Sequence, residues 1–281
     1  MCELCFDPRV VHASPGNIDT KSSAIARRSF LRLAVGGAAT VAAASALVQT
    51  FDQPVVSASA GKQRMPQVTT RSQWGADESI RGATVIGWAP VRKIVIHHTA
   101  SPNRVKNAAA TVRYGYNYHV VTRGFSDIGY HFLISPDGEI FEGRRARTYS
   151  AGEPHTGEDG AKNAVIGGHS LGKNAGTVGI ALIGNFSDVK PSNAALSSLA
   201  NLVAWEAQRH SIDPLGKDPY IDLGGTKSSF YNIVGHRGIR QTACPGATMI
   251  QLMPWLRQES ANRVGSYPGR TADMRRLAWL L

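Results

Sequence analysis

The sequence predicts an α/β fold, on three observations. Short apolar runs rich in β-branched and aromatic residues recur along the chain, as buried strands require. Longer stretches with helical spacing alternate with them. The 281 residues, 42% hydrophobic and 18% charged, are enough to fill a sizeable core in one large domain or two small ones.

The first 60 residues read as a leader rather than as fold. Ala26-Arg27-Arg28-Ser29-Phe30-Leu31-Arg32 pairs two arginines with Phe-Leu, and a mild apolar run from Leu33 to Val48 follows. Ala58-Ser59-Ala60 supplies a small-residue cleavage pattern. Together they read as a twin-arginine export signal, cleaved after Ala60, which implies a secreted or cell-wall-associated protein. The alternative is a membrane anchor, but the 16 weakly apolar residues of that run fall short of the roughly 20 that a span needs. No stable membrane anchor is therefore expected after cleavage.

Residues 61–68 read as a linker, 69–260 as the folded domain and 261–281 as an arginine-bearing tail with no assignable role. Arg71-Ser72-Gln73-Trp74-Gly75-Ala76 looks like a turn leading into an arm over the core. Lys93–His98 reads as a buried strand, with His97 and His98 at the C-terminal end where open α/β sheets place ligands. Alternation lets only one of the two point into a given site. Asn107 to Val121 has helical spacing, stopped by Thr122-Arg123-Gly124. Gly129–Ser135 reads as a strand with Tyr130 and Phe132 on one face and His131 and Leu133 on the other. Pro136-Asp137-Gly138 turns the chain into a third strand, Glu139–Gly143.

Thr148 to Gly176 is long and glycine-bearing, and reads as a surface loop that carries His155 and His169. Thr177–Gly184 is apolar enough to be a central strand. Ser192 caps a helix to about His210, with Leu196, Leu199 and Val203 as its buried stripe. Asn232–Val234 is a short strand feeding His236. A last helix starts after Cys244-Pro245-Gly246 and is interrupted or restarted at Pro254.

The chemistry lies in Gly235–Gly246. His236 and Cys244 stand eight positions apart in a turn-rich segment, and imidazole and thiolate are both good zinc ligands. The third ligand is best sought at His97-His98, and three protein ligands with one open position describe a catalytic zinc site. Of the three cysteines, Cys2 and Cys5 lie in the leader, so the exported chain holds Cys244 alone. It can form no internal disulfide, and a lone thiol outside the cell is vulnerable unless buried or metal-bound. Tyr130 and Thr242 lie on segments that could approach the same point.

These blocks, in this order, closely resemble the peptidoglycan recognition protein family, which overlaps the type 2 N-acetylmuramoyl-L-alanine amidases. Besides those quoted, the carriers are Asp127–Ile134, Gly138–Arg144, Gly168-His169, Gly179–Phe186, Gly235-His236-Arg237 and Thr242–Gly246. The resemblance runs from about Thr69 to Leu256. It implies a central mixed β-sheet flanked by helices, with a zinc site in a surface groove. It implies zinc ligands at His97, His236 and Cys244, and non-ligand catalytic positions at Tyr130 and Thr242. His169, in a block that borders the groove in relatives, would touch substrate or a ligand, and Arg237 would lie at the substrate groove.

Some relatives carry lysine in place of that threonine, so Thr242 points to the recognition-protein branch. Members that only bind peptidoglycan typically lack the cysteine, so Cys244 favours catalysis. The expected activity is hydrolysis of the amide between the lactyl group of N-acetylmuramic acid and L-alanine in bacterial peptidoglycan. The alternatives are a non-catalytic peptidoglycan-binding module of the same fold and a zinc peptidase cutting within the stem peptide. The formal charge of +11 falls only to +10 without the leader, and it suits an anionic partner such as a wall polymer. It would also suit nucleic acid, but no nucleic-acid-binding motif is present.

Overall fold

A computed structural model describes residues 63–83 and 87–264, all within one unit of internal contacts. The leader at 1–60 with Cys2 and Cys5, and the tail from 265, lie outside the described residues. Residues 63–68, read as a linker, are folded onto the domain. Gln63 donates to Arg263 O at 2.7 Å, and its amide donates to Gln208 Oε1 at 2.6 Å. Met65 and Val68 pack against the main core.

The tryptophan block forms α1 (Arg71–Trp74), a single turn closed by a capping box between Thr70 and Gln73. It is more than a turn because Arg71 is buried and bound. Its guanidinium lies 3.0 Å from Asp127 and 2.6 Å from Glu78, and it also donates to Gly143 O at 2.6 Å. Burial works against that charge, but Asp127 and Glu78 outweigh it and hold the pKa above the ordinary value. Trp74 Nε1 donates to Glu142 O at 2.8 Å, so the motif pins this turn to the sheet edge.

Next come β1 (Trp88–Pro90) and β2 (Lys93–His98), every residue of the latter buried. Then α2 (Ala108–Asn117), capped by Asn107, runs into a π-helical turn at Tyr118–Thr122. β3 (Phe132–Ile134) and β4 (Ile140–Glu142) form a hairpin around Pro136-Asp137-Gly138. The stretch read as a surface loop contains β5 (Asn163–Val165), which pairs antiparallel with β1. β6 (Thr177–Leu182) is followed by α3 (Asn193–Arg209), whose Ser192 cap accepts from Ala195 N at 3.1 Å. A small antiparallel pair, β7 (Pro219–Ile221) and β8 (Lys227–Ser229), was not foreseen. β9 (Ile233–Gly235) and α4 (Ala247–Val264) complete the fold.

The main sheet is mixed, in the order β4-β3-β6-β2-β9, with only β3–β4 antiparallel. β6 is central, as its unbroken apolar run predicts. Alternation along β2 sends Ile94 and Ile96 to the core under α3 and α4, with Leu199, Val203, Met249 and Leu256. Val95 faces the opposite side, against Tyr220, Phe230 and Val234. Lys93, fully buried, ties the β7–β8 pair down by donating to Asp218 O at 2.6 Å and Phe230 O at 3.1 Å.

Three expectations need correction. α4 is not interrupted at Pro254 but runs through it, because Pro254 lies on the exposed side, where water can take the carbonyl it cannot serve. That helix also continues past the boundary drawn at residue 260. Tyr130 does not share a face with Phe132. It clusters with Leu133, Phe141 and Ala181, while Phe132 joins the core under α3. The amides of Gly143 and Arg144, consecutive residues, donate to His131 O and Tyr130 O, where a regular antiparallel ladder would use every second residue. The alternation therefore fails before Phe132. No helix among the described residues is long and apolar enough to cross a membrane.

A buried ionic group fastens the β5 segment to the end of α3. Arg209 meets Glu158 at 2.6 and 2.5 Å, and His210 Nε2 lies 3.0 Å from Glu158 and 3.2 Å from Glu206. Neither carboxylate oxygen lies along the imidazole N–H, so this contact is ionic rather than a directed hydrogen bond. Arg209 and His210 supply two cations beside Glu158 and Glu206, and burial pushes the Glu206 carboxyl up in pKa, partly offset by His210. Burial opposes the charge on His210, yet Glu158 and Glu206 raise its pKa to about 9. Its unfolded value is near 6.5, so this stabilisation is complete below pH 6.5 and is lost as pH rises through about 9. Unfolding free energy should fall by on the order of 1–3 kcal/mol across that window. A His210→Gln variant should flatten the slope in urea titrations at each pH; an unchanged slope would contradict the assignment.

Candidate metal centre

The sheet register brings the first two candidate ligands together. Ile96 of β2 pairs with Gly235 of parallel β9, so the next residues, His97 and His236, are neighbours at the same sheet end. Their ring centroids are 4.6 Å apart. From His236 the chain makes a short 3₁₀ turn, His236–Gly238. A bond from Arg237 N to Cys244 O, at 2.8 Å, closes the following loop and returns Cys244 to the site. Cys244 Sγ then lies 3.6 Å from His97 Nδ1, and it receives the His98 amide at 3.4 Å.

Donor atoms of His97, His236 and Cys244 all lie within 4.8 Å of one another, and all three residues are buried. Around a tetrahedral zinc with bonds of 2.0–2.3 Å, donors sit about 3.3–3.8 Å apart, so the His97–Cys244 spacing already matches. Both ring nitrogens of His236 are buried without a hydrogen-bond partner. Such orphaned atoms are costly unless something binds them. Burial, with the neighbouring His236 and His169, holds His97 well below its ordinary pKa; burial and Arg240 lower His236 to about 4. Both rings are thus neutral, the form that binds a metal. Burial pushes the Cys244 thiol up to about 12, partly offset by the His98 amide. Two neutral imidazoles and one buried sulfur fit a zinc ion.

His98 faces the other way, as alternation requires. Its Nδ1 accepts from Phe186 N at 3.3 Å. Tyr130 is fully buried with its ring 5.3 Å from His97. Its hydroxyl is held well above the ordinary pKa by burial and by Cys244, so it remains a proton donor. The π turn carries His119 beneath it, ring centroids 5.5 Å apart, while His119 Nδ1 accepts from Gly129 N at 3.2 Å. Thr242 is half-buried, and its Oγ1 accepts from Cys244 N at 3.3 Å. Arg237 is exposed next to it.

His169, expected to touch substrate or a ligand, meets a candidate ligand. It is fully buried, with Nδ1 3.1 Å from His97 Nε2. Loop position and residue type alone could not show this. The available signal was the pair of glycines around it, Gly167 and Gly179: a Cβ on either would meet the His169 ring at 2.7 or 2.5 Å. A separate cavity of about 1010 Å³, lined by Met65, Arg147, Lys162, Trp205 and others, shares no residue with the metal trio.

Comparison with known proteins identifies the family. Residues 87–247 match the family model described as N-acetylmuramoyl-L-alanine amidase. A human N-acetylmuramoyl-L-alanine amidase is 28% identical over 192 residues, covering 67% of this chain but only 28% of its own length. Peptidoglycan recognition protein 1 of Bos taurus is 30% identical over 191 residues, 66% of this chain and 82% of that protein. Among solved structures, a single-residue variant of Drosophila PGRP-LB in complex with tracheal cytotoxin superposes with a TM-score of 0.50 at 28% identity. That match covers 68% of this chain and 95% of the other. The chain belongs to the type 2 N-acetylmuramoyl-L-alanine amidase family, which includes the peptidoglycan recognition proteins.

Proposed function

We propose that the protein is an exported zinc-dependent N-acetylmuramoyl-L-alanine amidase that frees the stem peptide of peptidoglycan from its sugar. The convergence of His97, His236 and Cys244, with both His236 nitrogens orphaned, carries the proposal. Zinc held there would supply a Lewis acid for the scissile carbonyl and lower the pKa of water toward neutrality. The chain's own residues do the rest. Tyr130, kept protonated, donates a hydrogen bond toward the developing oxyanion or orients the attacking water. Thr242 Oγ1 accepts the Cys244 amide on one side, which leaves its hydroxyl hydrogen for the substrate carbonyl. Arg237, exposed beside Thr242, suits a carboxylate of the stem peptide.

The test is digestion of defined muropeptides with and without chelator. An amidase releases the intact stem peptide with a new L-alanine N-terminus, stops on chelation and restarts with zinc. Fragments cut within the stem would indicate a peptidase instead. Tight binding without any cleavage, zinc being present, would indicate a recognition module, a reading that the names of several relatives keep open.

Export by the twin-arginine route belongs to the same proposal, supported by Arg27-Arg28 and Ala58-Ser59-Ala60. Changing Arg27→Lys and Arg28→Lys together should leave uncut precursor inside the cell. Mature protein still appearing outside would refute that route.

A further inference from the structure

We propose that His169 is a positioning residue that sets the tautomer of His97 and so aims its Nδ1 at the metal; this rests on the zinc reading above. The argument starts at a carbonyl, which can only accept. His169 Nε2 lies 3.3 Å from Thr177 O, so that nitrogen carries the ring hydrogen. Thr177 Oγ1, 3.4 Å from the same nitrogen, already donates to Lys173 O at 2.7 Å and so can act only as a second acceptor. In a neutral ring His169 Nδ1 is then bare, and it faces His97 Nε2 at 3.1 Å. Two bare nitrogens would repel, so His97 Nε2 bears its hydrogen and donates it. The lone pair of His97 Nδ1 is left free, 3.6 Å from Cys244 Sγ, on the side of the trio. Ser170 Oγ, 3.2 Å from His169 Nδ1, can donate to the same acceptor and does not alter the assignment.

The seat is built for this ring. Gly179, in the middle of the central strand, leaves the space it occupies: a Cβ there would lie 2.5 Å from the ring. Gly167 clears the other side, where a Cβ would meet His169 at 2.7 Å and His131 at 2.8 Å. His131 is occupied elsewhere, bonded to Val165 O at 2.7 Å and to Gly179 N at 3.0 Å, so it packs against His169 without competing for it. A metal-binding histidine whose far nitrogen is engaged is held in one tautomer and one orientation, and loss of such a partner typically costs about 10–100-fold in metal affinity.

The experiment measures zinc affinity of the full chain by competition with a chromogenic chelator, for wild type, His169→Leu and His169→Gln. His169→Leu fills the space but accepts nothing, and should weaken zinc binding about 10–100-fold. His169→Gln offers an amide oxygen to His97 Nε2–H and should recover most of that loss, which a purely space-filling role would not predict. In the unaltered chain, ¹⁵N NMR should show coupling across the hydrogen bond from His97 Nε2 to His169 Nδ1, and zinc should shift His97 Nδ1. This measurement decides the matter if His169→Leu fails to fold. Wild-type affinity in a folded His169→Leu, absence of that coupling, or zinc acting on His97 Nε2 would each overturn the proposal while leaving the zinc reading intact. Zinc retained undiminished in Cys244→Ser would instead overturn the zinc reading, and this proposal with it.

Discussion

Cys244→Ser should abolish cleavage and strip the protein of firmly held zinc. Bound to zinc, Cys244 would be the one anionic donor of the trio, and a serine hydroxyl does not ionise to replace it. Loss of a ligand should exceed the about 10–100-fold that loss of a ligand's outer hydrogen-bond partner costs. The fold should survive, since the change is nearly isosteric and Cys244 is bonded only through sulfur contacts to His97 and His98 beyond its backbone. Binding of uncleaved muropeptide should persist in part. Metal analysis after dialysis, alongside product analysis, checks both halves. Full turnover with one retained zinc would rule out the proposed site.

Tyr130→Phe should lower kcat by about 10²–10³ with zinc content unchanged. The substitution removes only the hydroxyl. The ring stays between His97, 5.3 Å away, and His119, 5.5 Å away, so neither the metal ligands nor the core beneath them should shift. Because the hydroxyl is expected to act on charge that develops during reaction, KM should move far less than kcat. A variant with wild-type kcat would reduce Tyr130 to a packed aromatic.

The strands that carry the candidate ligands follow from local rules, but residue types alone leave His97 and His98 as alternatives, and it is the family resemblance that singles out His97, His236 and Cys244. β2 announces itself as an unbroken β-branched run, and alternation separates His97 from His98. The Gly235 register with Ile96 then makes His236 the neighbour of His97. Ser192 and the stripe of α3 were legible for the same reason: caps and periodicity are written within a few residues. What escaped depends on distant partners. Glu158, Glu206 and His210 look like separate solvated charges until the fold buries them together. His169 looks like a loop residue until Gly167 and Gly179 admit its ring beside His97. The β7–β8 pair buries only Tyr220 fully among its six residues, too little to show as a pattern. Tyr130 was assigned to the wrong face because the irregular pairing opposite Gly143 and Arg144 leaves no trace in residue types.

X-ray absorption at the zinc edge of the metal-loaded protein tests the coordination most directly. The expected spectrum has two nitrogen donors and one sulfur from protein, with one further oxygen at a short distance from water. A shell without sulfur, or one closed by a fourth protein group, would contradict the account.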